Sequence, residues 1–143
     1  MIHIDKALPI PCELSGNFFY IWLTFFTPLH KLTPSVTKIA AEILRHRYIL
    51  SKSITDANIL DKYLMTNEEI RNDIIKACGI SLSNYHVGVG KLRQAKFFID
   101  GNVNPKLIPP IEEGSTSINL LFMFKLQDVA AKKQDGENIQ KGS

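Results

Sequence analysis

The sequence is poor in the residues that build metal sites and disulfide scaffolds. It has only two cysteines, Cys12 and Cys78, which are far apart and belong to no paired motif, and its four histidines show no HExxH spacing. This pattern excludes a zinc-binding or disulfide-bonded class and favours a reducing, intracellular origin, with Cys78 as a small buried thiol. We expect no metal and no cofactor.

Long apolar runs and catalytic motifs are missing as well. The apolar stretch at residues 18–26 has nine residues, whereas a membrane-spanning helix needs about 20. Residues 1–6 lack the basic start and apolar core of a signal peptide. The sequence has no glycine-rich phosphate loop and no GxSxG nucleophile motif. It therefore predicts a soluble protein that is not an enzyme, does not bind a membrane and has no small-molecule substrate.

Positive charge is modest and unevenly distributed. The net charge is +3, and 45% of the residues are hydrophobic, as in ordinary globular proteins. Residues 33–111 contain 11 Lys or Arg against 7 Asp or Glu, a net charge of +4, whereas residues 1–32 are neutral and residues 112–143 carry −1. A charge of this size neither requires nor excludes a nucleic-acid partner.

The apolar pattern divides the chain into four parts. They are an apolar N-terminal arm at 1–32, a helical domain at 33–111, a C-terminal strand at 112–127 and a polar tail at 128–143. The expected fold is mainly α with a small β component, in which the arms at both ends add strands.

Aromatic residues crowd the end of the N-terminal arm. Residues 18–26 have helical spacing, although their aromatic content would suit a buried strand equally well, and we favour a helix because Ser15 and Asn17 can cap its start. These side chains either fill the chain's own core or anchor an interface with a partner. Together with two phenylalanines of the C-terminal strand, the candidate interface anchors are Phe18, Phe19, Trp22, Phe26, Phe122 and Phe124.

The helical domain opens with a clear helix start. Thr33 is a good N-cap, and Pro34 suits the first helical position. Apolar residues then recur at helical spacing and predict one buried stripe. That stripe consists of Val36, Ile39, Ala40, Ile43 and Leu44.

A helix, a glycine turn and a second helix follow later in the domain. Thr66 and Glu69 have the spacing of a capping box, and Gly79 stands where a left-handed residue would end the helix. Ser81 can then cap a helix over residues 82–95. The side chains expected on its inward face are Leu82, Tyr85, Val89 and Leu92.

A β-hairpin is predicted immediately after this second helix. The turn Asp100-Gly101-Asn102 separates the apolar runs 96–99 and 103–108. An Asp-Gly pair in this position is a strong hairpin signal. Pro105 limits the second strand to a sheet edge.

These residues resemble the winged helix-turn-helix superfamily. The resemblance lies in "IRNDIIKACGISLSNYHVGVGKLRQAKFFIDGNVNPKLIP", and "LTPSVTKIAAEILRHRYILS" resembles the first helix of the same modules. It covers residues 33–111 and implies a wing formed by Asp100, Gly101 and Asn102. In this superfamily the second helix of the motif usually enters the DNA major groove. The wing and the late apolar strand are also similar in style to small proteins encoded by tailed bacteriophages.

The outward face of the predicted second helix is the candidate contact surface for DNA or protein. Its polar residues can read base edges or bind phosphate, whereas the valine and glycine in its middle favour protein packing. An ordinary solvated face is the third possibility. The face consists of Ser83, Asn84, Val87, Gly90, Lys91 and Gln94. Gly88 and Gly90, both inside this helix, also favour close approach of another helix.

The C-terminal strand is apolar on both of its faces, with residues 118, 120, 122, 124 and 126 on one side. It either joins the hairpin or the N-terminal arm within the chain, or exchanges with a neighbouring subunit.

The function favoured by these patterns is that of a non-enzymatic structural component of a larger homo- or hetero-oligomeric assembly. We expect a tailed-phage virion protein of the neck, ring, portal-proximal or capsid-associated kind. It would be made in the host cytoplasm and would use its winged-helix body and its apolar arms for protein–protein contacts. The alternative is a sequence-specific transcriptional regulator that binds duplex DNA through the winged helix-turn-helix.

Overall fold

The computed structural model describes residues 8–26, 32–121 and 123–126 of the chain. The described part is mainly helical, with one small antiparallel sheet. The helices are α1 (Phe18–Leu23), α2 (Pro34–Ser51), α3 (Ala57–Thr66), α4 (Glu68–Cys78) and α5 (Leu82–Gln94). The strands are β1 (Phe98–Ile99) and β2 (Asn102–Val103), followed by a short 3-10 helix at Pro105–Leu107. By its contacts the chain divides into two units, Met1–Pro109 and Pro110–Ser143.

The long helix α2 forms the centre of the first unit. Its start is as predicted, because the Thr33 hydroxyl accepts a hydrogen bond from the Val36 amide at 3.3 Å and Pro34 occupies the first turn. The stripe from Val36 to Leu44 is buried, and α1, α3, α4 and α5 all contact this helix. The core is therefore assembled around one helix whose apolar face is too wide for a single neighbour.

The corner between α3 and α4 differs from the predicted capping box. Thr66 is the last residue of α3, and its hydroxyl donates back to the Lys62 carbonyl at 2.6 Å. Asn67 is the N-cap instead, and its side-chain oxygen accepts from the Ile70 amide at 2.9 Å. The prediction was wrong by one residue because Thr66 remains helical, as the C-terminus of the preceding helix.

The glycine turn and the second helix form as expected. Gly79 is left-handed, with φ of 65°, and the Ile80 amide donates to the Ile75 carbonyl at 3.3 Å. The Ser81 hydroxyl accepts from the Asn84 amide at 3.1 Å and caps α5. Only Gly tolerates the left-handed conformation without steric cost, so this turn is set locally.

The hairpin is shorter than predicted. Asp100 and Gly101 both have positive φ, at 54° and 82°, which is the two-residue turn that favours an Asp-Gly pair. Asn102 pairs with Ile99 and therefore belongs to β2, so it is not a turn residue. Pro105 starts the 3-10 helix and ends the strand early.

The predicted C-terminal strand is not present in the described part of residues 112–127. Residues 115–121 and 123–126 have no regular structure, and neither do residues 8–13 of the N-terminal arm. Phe122, Gln127 and the polar tail at 128–143 lie outside the described residues. Alternating apolar residues favour a strand only when a neighbouring strand supplies hydrogen bonds, and none does so here among the described residues.

Candidate functional site

The exposed face of α5 carries the candidate contact residues that the sequence predicted. Five of them are exposed, and Gly90 is half-buried. They lie at helical spacing along α5 and are Ser83, Asn84, Val87, Gly90, Lys91 and Gln94. The structure therefore brings the predicted face together on one helix that is capped at its start.

The opposite face of α5 attaches the helix to the core. Tyr85, Val89 and Leu92 are at most 4% exposed, as predicted. Leu82 was expected to face inward but is 48% exposed, because it is the first residue of the helix and lies beyond the edge of the core. With Val87, which is 57% exposed, it adds apolar surface beside the polar face.

The two glycines of α5 have different environments. A Cβ at position 88 would lie 2.5 Å from Cδ1 of Ile39, so this glycine allows α5 to approach α2 closely. A Cβ at position 90 would meet nothing within 4 Å among the described atoms. The prediction of close helix approach is correct at Gly88, but the partner is a helix of the same chain. Gly88 therefore no longer supports an intermolecular contact.

The hairpin that was predicted as a wing is held against α3. The Asn102 side-chain amide donates to Oδ1 of Asn58 at 2.7 Å, and the Val103 amide donates to Oδ2 of Asp61 at 3.2 Å. Both Asp100 and Gly101 are exposed at the tip. The tip therefore presents a carboxylate, which disfavours contact with a phosphate backbone.

Asp61 is a structural residue that the sequence patterns did not identify. Its carboxylate is 1% exposed and accepts from Nε of Arg47 at 2.7 Å as well as from the Val103 amide. It thereby connects α2, α3 and β2. The available signal was a charged residue between Leu60 and Leu64 on an apolar helix face, but the sequence does not reveal its partners.

The aromatic anchors of the N-terminal arm form one cluster within the chain. Ring centroids are 5.0 Å apart for Phe18 and Phe19 and 5.0 Å apart for Trp22 and Phe26. Phe19 and Trp22 are buried, and Nε1 of Trp22 donates to the Leu107 carbonyl at 2.8 Å. Phe19 and Trp22 therefore belong to the chain's own core, which is the first of the two roles expected for these side chains.

The late apolar segment, residues 118–126, differs from Phe19 and Trp22 because most of its described apolar side chains are exposed to solvent. Four of its side chains are well exposed, with Phe124 at 85%. The others are Leu121 at 65%, Met123 at 73% and Leu126 at 68%. Phe122, the remaining predicted anchor, lies outside the described residues. Of the five candidate anchors that the structure describes, Phe124 is thus the one that it leaves most available to a partner.

Within the described ranges, no helix has the length and hydropathy needed to cross a membrane. The same residues contain no cluster of three or more His, Cys, Asp or Glu that could hold a metal ion. Cys12 is exposed and Cys78 is only half-buried, so the expected buried thiol is buried in part. Comparison of the chain with protein-family models, curated proteins and solved structures gave no significant match.

Proposed function

We propose that the chain is a non-enzymatic component of a larger protein assembly, which it joins through the late apolar segment. The supporting observation is the exposure of Leu121, Met123, Phe124 and Leu126 within six residues. Removing a large apolar side chain from water contributes about 1.5–3 kcal/mol before the entropic cost of association is subtracted. Contiguous exposed apolar residues of this kind are typical of interaction sites.

The distribution of aromatic residues supports a contact role for the C-terminal end. Phe19 and Trp22 are already covered by the chain's own core, so these two aromatic side chains have little surface to offer a partner. Residues 118–126 have no regular structure among the described positions. Their alternating pattern suits a segment that becomes a strand when a partner supplies the pairing edge. The finer assignment, to a tailed-phage particle, depends on the resemblance in sequence.

Self-association of the full chain tests this proposal. We expect native mass spectrometry and sedimentation of the wild-type chain to give a discrete oligomer. The double substitution Leu121→Asp/Phe124→Asp should leave a folded monomer, because two charges cannot be buried at an apolar contact without a large desolvation cost. Ile59→Asp is the matched control, since Ile59 is 60% exposed on α3, and it should preserve the oligomer. A wild-type chain that stays monomeric at high concentration, and that binds nothing in its native lysate, would contradict the proposal.

The second candidate is a winged helix-turn-helix regulator that binds duplex DNA. It is favoured by the polar face of α5, where Asn84, Lys91 and Gln94 are exposed on a helix that follows the Gly79 turn. Asparagine and glutamine can bond adenine edges, and lysine can bond guanine or phosphate. The carboxylate at the hairpin tip and the exposed Val87 weigh against this candidate.

A gel-shift experiment separates the two functions. If the assembly proposal is correct, duplex binding should be weak, indifferent to sequence and lost at about 150 mM salt, where exposed charges are screened. A complex with one defined site that survives this salt concentration, and is lost in Asn84→Ala and Lys91→Ala but not in Lys62→Ala, would establish the regulator instead. Lys62 is an exposed cation on α3 and therefore controls for net charge.

A further inference from the structure

We infer that the base of the β-hairpin is a docking surface for an extended acidic segment of a partner protein. This surface, the hairpin base, consists of Arg93, Lys96, Phe98, Ile99 and Lys106. It shares no residue with the late apolar segment or with the predicted contact face of α5. It is therefore a further contact site, which can be tested whatever the outcome for those two surfaces.

The net positive charge of the helical domain lies entirely in its second half. Residues 33–73 contain six basic and six acidic residues, whereas residues 74–111 contain five basic residues and one acidic residue, Asp100. Among the basic residues of this half, Arg93, Lys96 and Lys106 are exposed and form no ion pair with any described residue. A partner that complements this charge must be acidic.

Hydrogen bonds bring the backbones of these three cations together. The Lys96 amide donates to the Arg93 carbonyl at 3.1 Å. The Asn104 side chain joins the two lysines, because its Nδ2 donates to the Lys96 carbonyl at 3.0 Å and its Oδ1 accepts from the Lys106 amide at 3.0 Å. The three positive side chains therefore start from neighbouring points of the chain.

Lys96 occupies a backbone position that favours glycine. The ends of α4 and α5 share one pattern, in which an amide donates to the carbonyl five residues back, at 3.3 Å in α4 and at 2.9 Å in α5. The left-handed residue of this pattern is Gly79 in α4, with φ of 65°, and Lys96 in α5, with φ of 67°. Lysine adopts this conformation at a steric cost that glycine avoids. Lys91 and Arg93 already complement the helix dipole in the last turn of α5, so the fold does not require a cation at position 96.

The strand β1, which begins two residues after Lys96, has an unpaired edge. Phe98 lies opposite Val103, whose amide donates away from β1 to Asp61 at 3.2 Å. The two strand residues therefore form a non-hydrogen-bonded pair, and the amide and carbonyl of Phe98 point away from β2. Neither group has a partner among the described residues. The neighbouring Ile99 is 43% exposed, so the edge combines free main-chain groups with apolar surface.

An extended acidic protein segment fits this combination better than a nucleic acid does. Such a segment can add a strand to the edge of β1 through main-chain hydrogen bonds and place alternate side chains against Ile99 and Lys96. A phosphate backbone carries negative charge, but it has no strand to pair with β1. It would also meet the exposed carboxylate of Asp100 at the hairpin tip.

Titration of the full chain with a short blocked peptide of alternating glutamate and valine tests the site. We expect the amide resonances of Phe98 and Ile99 to shift, and Lys96→Gly to lower the affinity about two- to fivefold, as for the loss of one exposed charge pair. The melting temperature of Lys96→Gly should not fall, because glycine adopts the left-handed conformation without steric cost. A lower melting temperature with unchanged affinity would show that Lys96 is only structural, and would overturn its assignment to the site.

A charge-matched control and a second probe complete the experiment. The triple variant Arg93→Gln/Lys96→Gly/Lys106→Gln should weaken peptide binding about 10-fold or more. Lys62→Gln should leave the affinity unchanged, because α3 contacts β2, on the side of the hairpin away from the unpaired edge. The proposal is overturned if the peptide leaves the Phe98 and Ile99 resonances unchanged, or if Lys62→Gln weakens binding as much as the triple variant. It is also overturned if a mixed-sequence DNA duplex binds this surface more tightly than the peptide does.

Discussion

Replacement of Asp61 by alanine is expected to lower the free energy of unfolding by about 3–5 kcal/mol, the usual cost of breaking a buried ion pair from one side. The carboxylate is 1% exposed and contacts both Arg47 and the Val103 amide. Its removal leaves a guanidinium that is only 12% exposed without its partner and a backbone amide without an acceptor. The hairpin should then detach from α3 before the helices unfold.

Chemical denaturation of the two proteins measures this difference. Asp73→Ala is the control, because Asp73 is an exposed carboxylate of α4, and its effect should stay within about 0.5 kcal/mol. Amide hydrogen exchange at Val103 should rise more than exchange at residues of α2. Equal denaturation midpoints for wild type and Asp61→Ala would show that the carboxylate is not buried as described.

Replacement of Leu92 by alanine should destabilise the chain by about 2–5 kcal/mol, because it leaves a cavity that the surrounding side chains fill only in part. Leu92 is 0% exposed on the inward face of α5, and the adjacent Phe97 is equally buried. Gln94→Ala, an exposed change on the same helix, should alter stability by no more than about 0.5 kcal/mol. Thermal unfolding of the three proteins makes the comparison. Identical melting temperatures for wild type and Leu92→Ala would mean that the inward face of α5 is wrongly assigned.

The parts of the fold that the sequence predicted well are those determined by a few neighbouring residues. Thr33, Gly79 and Ser81 each act on backbone groups within about one helical turn, and each behaves as expected. The Asp100-Gly101 turn belongs to the same class, because its positive φ angles follow from the residue types. Local steric and capping rules are strong enough to determine such features without the rest of the chain.

The features that could not be predicted depend on contacts between distant residues. Trp22 donates to a carbonyl 85 positions later, and Asp61 accepts from an amide 42 positions later. No local pattern shows which of several apolar or charged residues will meet in the folded chain. The same limitation explains why the sequence leaves two roles open for Trp22 and gives no sign of the role of Asp61.

The exposed face of α5 was predicted from the sequence, but the packing of the helix was not. Helical periodicity correctly separated the exposed face of α5 from Tyr85, Val89 and Leu92. It could not show that Gly88 packs on Ile39. This contact depends on the distance between helices, which the sequence of one helix does not contain.

The junction at Asn67 limits the insertions and deletions that the chain can tolerate between α3 and α4. This residue ends α3 through its amide, which donates to Tyr63, and starts α4 through its side chain. The two helices therefore share one junction residue and have no spare linker between them. Because an α-helix turns by about 100° per residue, an insertion here would rotate Ile74, the one buried side chain of α4, away from the core. Evolutionary insertions and deletions should therefore be excluded from this corner.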